Sequence, residues 1–229
     1  IAGRVKLGLQ WLLFRKGLGA TNFFEVGAFL RTRESERIPN VQLEFVPMLG
    51  EFQHGSVKLE NGFQYFLSLM RPKSTGRVWI DSADPAADPK FVFNYLTDPD
   101  DMAQAVEAVK AVRRIIAQQA WNEFRGAEVV PGESVRTDAE ITAWLRQNAG
   151  TNYHPCCTCR MGSDDMAVVD EDAKVNGIEG LRVVDASIIP EIVTGNLNAP
   201  VIMMAEKLAD VIRGRPPETG ATPAYYLPA

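Results

Sequence analysis

The sequence predicts an α+β fold, an antiparallel sheet flanked by helices, on three observations. Short runs of alternating apolar and polar residues recur through roughly the first hundred positions. Helical spacing then takes over from Asp98. A further apolar helix follows a glycine- and asparagine-rich turn near the C-terminus. With 229 residues, 46% hydrophobic and 23% charged, the composition is that of a globular protein able to bury a core.

In chain order, Trp11 to Lys16 reads as helix, ended by Gly17 and Gly19, and "NFFEVGAFL" (22–30) reads as strand. "VQLEFVP" (41–47) alternates as a half-buried strand does. Residues 62–70 and 76–81 are two more strands joined by "RPKSTG", and 91–95 is another. From Asp98 the pattern changes. Asp98 is placed to cap a helix that has Pro99 in its first turn and acids beside it. Met102, Ala105, Val109, Val112 and Ile116 share one face, so this helix is expected to pack on the sheet. Thr137 with Glu140 is a capping box ahead of a second helix that stops by Gly150. The α+β block therefore covers residues 1–150. In 151–214, "GLRVVDAS" (180–187) reads as a short buried strand, and "GNLNAP" leads into the helix "VIMMAEKLADVIRG". Residues 215–229, rich in proline and alanine, read as a flexible tail.

Several function classes fall away. A net charge of −5 with no basic stripe does not suit nucleic acid. No apolar run approaches ~20 residues, so no membrane span is expected. All the cysteines lie at 156, 157 and 159, with no distant partner to cross-link, which favours a reducing, cytoplasmic setting.

"TNYHPCCTCRMG" (151–162) concentrates the chemistry. A zinc centre needs four donors converging tetrahedrally, and four donors within six residues cannot all face one ion, so no metal is expected. A redox pair would want Cys-x-x-Cys at a helix start, and these cysteines lack it. Small packing residues are the simpler reading. That leaves His154, which is either an ordinary core or surface imidazole or a positioned base. The chain has one other histidine, His54, in the loop-like "FQHGSVKLENGF", which stays outside the catalytic set. Pro155 stiffens the backbone beside His154, as a positioned base requires. The amides around Ala199 to Met203 could stabilise an anion such as phosphate or a reduced flavin ring. Equally, Asn198 could simply cap a buried helix there.

"YHPCCTCRMG", "AVVDEDAKVNGIEGLRVVDASIIPEIVTGNLNAP" and "MMAEKLADVIRG", in this order, resemble the C-terminal region of the glucose–methanol–choline flavin oxidoreductases. "HPCCTC", "DASIIP" and "GNLNAP" bring the likeness nearest to the choline dehydrogenases of that family. The likeness extends back through "RGAEVVPG" and "FNYLTDPDD" to about "KGLGATNFFEVGAF". It implies FAD as cofactor and oxidation of a primary alcohol, choline to betaine aldehyde, with hydride leaving for flavin N5. His154 would be the acid/base group and Asn198, at the start of the last helix, its partner at the alcohol oxygen. Asp185, Ala186, Asn196, Asn198, Ala199 and Pro200 would touch the flavin. The 151–214 segment would complete an FAD-binding domain of Rossmann type, and 1–150 would be the substrate domain.

The chain departs from the family pattern in places. The Gly-x-Gly-x-x-Gly fingerprint does not occur here, and the chain opens on Ile1 without signal-peptide form. It therefore reads as the C-terminal part of a longer enzyme, expected neither to hold FAD tightly nor to turn over alcohol alone. Choline dehydrogenases tend to carry histidine where this chain has Glu44. A carboxylate facing the pocket would favour a cationic substrate; the alternative is an outward-facing strand residue. A quaternary ammonium wants aromatic walls, for which Phe24, Phe45 and Tyr153 are the candidates. Competing readings are an oxidase or dehydrogenase of another alcohol, and a non-catalytic binding module. Choline dehydrogenases often work at the membrane, so peripheral contact with the inner membrane accompanies the cytoplasmic expectation.

Overall fold

The computed structural model describes residues 2–24, 26–53 and 56–216, so His54 and most of the expected tail lie outside the described residues. Its elements begin with α1 (Ala2–Phe14), β1 (Val26–Leu30), β2 (Val41–Val46), β3 (Leu49–Gln53), β4 (Ser56–Glu60) and β5 (Gln64–Leu69). They continue with β6 (Arg77–Trp79), β7 (Lys90–Val92), α2 (Pro99–Ile116), α3 (Asp138–Asn148) and α4 (Asn198–Ile212). The arrangement is α+β, with antiparallel strands and helices, as the alternating runs and helical spacing predict.

The central sheet has the order β1-β2-β5, all antiparallel. Two separate hairpins, β3–β4 and β6–β7, accompany it. The first hairpin is absent from the sequence expectations. Its register, from Leu49 opposite Glu60 to Gln53 opposite Ser56, is a pairing that no single run displays.

β2 decides the geometry of everything else. In "VQLEFV" successive side chains leave opposite faces. Val41 and Leu43 are buried with Ala108 of α2, and Leu30, Tyr65, Leu69, Val112 and Ile115 pack around them. Burying a side chain such as Leu43 contributes about 1.5–3 kcal/mol. Gln42 and Glu44 consequently leave from the other face, away from α2. Gly27 of β1 stands opposite Glu44, and a Cβ there would lie 2.8 Å from the Leu43 carbonyl oxygen, so the strands can close only over glycine.

α2 starts where expected. The Asp98 side chain accepts from the amides of Asp100 and Asp101, Pro99 opens the helix, and Arg113 and Arg114 close it. Its apolar stripe is wider than one face. Met102, Ala105, Val106 and Val109 meet Ile141 and Leu145 of α3, while Ala108 and Val112 meet the sheet. The α3 capping box is complete. Thr137 Oγ1 accepts from the Glu140 amide at 3.2 Å, and Glu140 Oε2 accepts from the Thr137 amide at 2.8 Å. That second bond, with another from the Arg136 amide, holds the Glu140 carboxyl below the usual carboxylate range. Thr137→Ala is expected to destabilise the protein by about 1 kcal/mol in urea unfolding, because one first-turn amide loses its acceptor.

Residues 160–208 gather around a separate small core of Val169, Ala173, Ile188 and Leu208. Three readings are corrected here. Residues 180–187 do not form a buried strand. The Val175 amide donates to the Leu181 carbonyl and the Val183 amide to that of Ala173, but pairing ends there. Val184 is exposed, and Asp185 then caps a 3-10 turn over Ala186–Ile188. Nor does Asn198 cap the last helix. Leu197 occupies that position, no side chain caps it, and Asn198 is the first helical residue. α4 is also not a buried helix, since Ile202, Met203 and Ile212 are exposed. Among the described residues no helix is long and apolar enough to cross a membrane.

Candidate active site

On the polar face of β2 lies a cavity of about 510 Å³. Phe24, Phe29, Gln42, Glu44, Asn152, His154 and Asn196 contribute to its walls, and Gly27 and Ala28 to its floor. Two loops lean over the sheet to close it.

The first loop carries His154. Asn152 Nδ2 donates to Ser68 Oγ of β5 at 2.9 Å, tying the loop to the sheet on one side of the histidine. On the other side the Cys159 amide donates to the Ser187 carbonyl and the Met161 amide to that of Ile188, both at 2.9 Å. Between these anchors Tyr153 and Cys157 adopt left-handed backbone, with φ of 59° and 74°, so the loop bends back on itself. Pro155 adds its own rigidity.

The second loop carries Asn196. Arg71 Nη1 donates to the Pro39 carbonyl at 3.0 Å and to Thr194 Oγ1 at 3.3 Å, bridging this loop to the sheet edge. Gly195, at φ 131°, makes the turn before Asn196.

The side chains then form one network. Gln42 Nε2 donates to Glu44 Oε1 at 2.8 Å and to Asn196 Oδ1 at 2.9 Å. Asn196 Nδ2 donates to Glu44 Oε1 at 3.4 Å and stands 3.1 Å from His154 Nε2. The amide of Asn196 has one orientation that satisfies this set, with its oxygen toward Gln42 and its nitrogen toward Glu44 and His154. An Nδ2 hydrogen therefore points at His154 Nε2. That nitrogen must accept, which assigns the ring proton to Nδ1. The result is an imidazole acceptor and a carboxylate joined through the Asn196 amide at one space.

The other expected site residues are distributed as follows. Asn198 does not line the cavity; the carboxamide that meets His154 belongs to Asn196, two residues earlier. Asn198, Ala199 and Pro200 form the first turn of α4, which carries no acidic residue. Asp185 is exposed, and its Oδ1 accepts from the Ser187 amide at 2.8 Å and from Ser187 Oγ at 2.5 Å, with Ala186 beginning the turn it caps. The three candidate aromatics do not converge. Phe24 lines the cavity and stacks on Phe66, with centroids 6.1 Å apart. Phe45 leaves β2 on the α2 side and packs with Phe63, Tyr65 and Trp121. Tyr153 is 84% exposed and is not a wall of the cavity. Strand alternation separates Phe45 from Glu44, and the left-handed φ of Tyr153 turns it outward.

Gln42, Asn152, Gly27 and Phe29 were not singled out by sequence. Gln42 had a readable signal, since it sits two residues from Glu44 in an alternating strand and must share its face. The others had none, because their membership depends on β1 and a distant loop arriving at the same place.

A family model for GMC oxidoreductases matches residues 72–205, more than half of the chain. The chain is 48% identical over 221 residues to the oxygen-dependent choline dehydrogenase of Pseudomonas aeruginosa (strain LESB58). That alignment takes in 96% of this chain and 39% of the relative, so the chain spans about two fifths of the length of the curated relatives it matches. Among solved structures, pyridoxine 4-oxidase from Mesorbium loti superposes with a TM-score of 0.72 at 26% identity, covering 82% of this chain and 38% of that one. A variant of formate oxidase from Aspergillus oryzae RIB40 shares the fold at a TM-score of 0.80 and 24% identity, over 92% and 41% of the two chains. By sequence match and by fold, the chain belongs to the GMC oxidoreductase family.

Proposed function

We propose that these residues are the substrate-binding and proton-handling part of an FAD-dependent dehydrogenase that oxidises a cationic primary alcohol of choline type. The observation that carries this reading is the meeting of the His154 lone pair, the Asn196 amide and the Glu44 carboxylate in one cavity. The relative named above as an oxygen-dependent choline dehydrogenase supports it. The activity belongs to the protein that joins this chain to a Gly-x-Gly-x-x-Gly segment. In it, residues 1–150 form the substrate domain and 151–214 close the FAD domain.

The first turn of α4 fits an electron-rich ring. Its leading amides have no side-chain cap and the first turn holds no acid of its own, so the helix end presents partial positive charge. Asn198, Ala199 and Pro200 would hold the cofactor there, with Asn196, Asp185 and Ala186 beside it. When bound, FAD supplies the acceptor for the hydride that leaves the alcohol carbon for N5.

The chain's own residues handle the rest. His154 Nε2 accepts the hydroxyl proton, which raises electron density on the carbon-bound oxygen as the C–H bond weakens. The carboxamide of Asn196 orients that oxygen, so the carbon is presented in one direction. Glu44 places a negative charge on the wall opposite, and Phe24 and Phe29 supply ring faces for an ammonium group. Tyr153, at the mouth of the His154 loop, would contact substrate only as it enters.

Glu44→Gln tests the substrate class. Glutamine keeps the acceptor oxygen for Gln42 and Asn196 but removes the charge. KM for choline is expected to rise about tenfold, about 1.4 kcal/mol, while a neutral alcohol of similar size changes little. Equal changes for both alcohols would exclude Glu44 as the charge-selecting group.

A further inference from the structure

The loop that presents His154 also sets two thiols side by side. Cys156 Sγ and Cys157 Sγ are 3.1 Å apart, both unpaired and half-buried. Adjacent residues in extended chain point to opposite sides. The left-handed φ of Cys157, 74°, breaks that alternation and brings the second sulfur back beside the first. The backbone of Cys159 is tied to a different segment, its amide donating to the Ser187 carbonyl.

A direct disulfide does not suit this pair. Neighbouring Cα atoms are held ~3.8 Å apart by a trans peptide, below the ~4.4 Å at which unstrained disulfides begin. A single bridging atom enlarges the ring and relieves that strain. A zinc ion wants four donors, and among the described residues no group of three or more His, Cys, Asp or Glu side chains could hold a metal ion. The atom that fits is one satisfied by two soft sulfur ligands and carrying its own third substituent.

We propose that Cys156 and Cys157 form a vicinal-dithiol site that chelates a monosubstituted trivalent arsenical through both sulfurs. Two As–O bonds break and two As–S bonds form. Each departing hydroxyl leaves as water with one thiol proton, and arsenic stays trivalent throughout. Each sulfur gives up its proton as it bonds to arsenic, so the exchange is neutral overall. Burial first, then the neighbouring Cys156 sulfur and Glu191, push the Cys157 thiol up to about 12, so it keeps its proton at neutral pH.

The test titrates the reduced protein with phenylarsine oxide and follows the adduct by intact mass spectrometry. One equivalent is expected to bind, resisting excess 2-mercaptoethanol and leaving with 2,3-dimercaptopropanol. Because the second As–S bond forms intramolecularly, Cys156→Ser and Cys157→Ser should each weaken binding about a hundredfold, and Cys159→Ser should leave it within about twofold. Arsenic X-ray absorption on the wild-type adduct supplies a readout that needs no variant, with two sulfur neighbours expected. Three sulfurs, loss of binding in Cys159→Ser, or an adduct removed by monothiol would each overturn the proposal.

Discussion

His154→Ala is expected to lower kcat/KM for choline by about 10²–10⁴-fold, some 3–5 kcal/mol of transition-state stabilisation. The measurement requires the protein complete with its FAD-binding segment. The reason lies in the network around the ring. Asn196 Nδ2 points a hydrogen at His154 Nε2 at 3.1 Å, so that nitrogen is held as an acceptor, and the alcohol hydroxyl takes over the donor's role from the amide on binding. Removing the imidazole removes the nitrogen that Asn196 holds beside the reacting hydroxyl as its proton acceptor. KM should move less than kcat, because the ammonium contacts proposed for Glu44, Phe24 and Phe29 do not involve His154. Free imidazole should restore part of the lost rate by entering the space the side chain vacated. Asn196→Ala should also slow turnover, and the double variant should cost less than the product of the two single effects, because both act on one proton. A folded His154→Ala enzyme with undiminished kcat/KM would remove the proposed base.

The second large effect concerns stability. Asp101→Ala is expected to destabilise the protein by about 3–5 kcal/mol in urea unfolding, from ~1–3 kcal/mol for each donor left dry. Asp101 is fully buried in the first turn of α2, where the helix dipole favours a carboxylate. Its oxygens accept from the Lys73 amide at 2.9 and 3.0 Å, from the Ser74 amide at 2.7 Å, and from Ser74 Oγ at 2.5 Å. Ser74 Oγ in turn accepts from the Asp98 amide at 3.0 Å, so one carboxylate fastens the segment after β5 to the start of α2. α2 is the helix on which the buried face of β2 packs, so the loss should loosen the strand that carries Glu44. Asp101→Asn, which keeps one acceptor oxygen, should lose less. A change below about 1 kcal/mol on Asp101→Ala would mean water satisfies these donors.

Local signals were legible wherever chemistry and spacing lie within a few residues of each other. Asp98 with Pro99, and Thr137 with Glu140, announced two helix starts because a cap is made by its immediate neighbours. The alternation of "VQLEFV" announced both a strand and a shared face for Gln42 and Glu44. The same reasoning misread 180–187. Its run of apolar residues looks like a strand, yet a strand is defined by its partner, and here pairing covers little more than Lys174 opposite Arg182. The β3–β4 hairpin escaped notice for the converse reason, since its register is visible only once both strands are paired.

By itself the sequence determined the α+β class and the family likeness and put forward His154 as a candidate, because each rests on residues close together in the chain. Only the tertiary structure decided that Asn196, not Asn198, meets that histidine and that Glu44 shares the space. It also sent Phe45 and Tyr153 elsewhere. Those outcomes depend on two loops, more than 40 residues apart at His154 and Asn196, being pinned to one sheet by Asn152–Ser68 and Arg71–Thr194 hydrogen bonds. Contacts of that range arise from chain closure and packing, which no local pattern encodes.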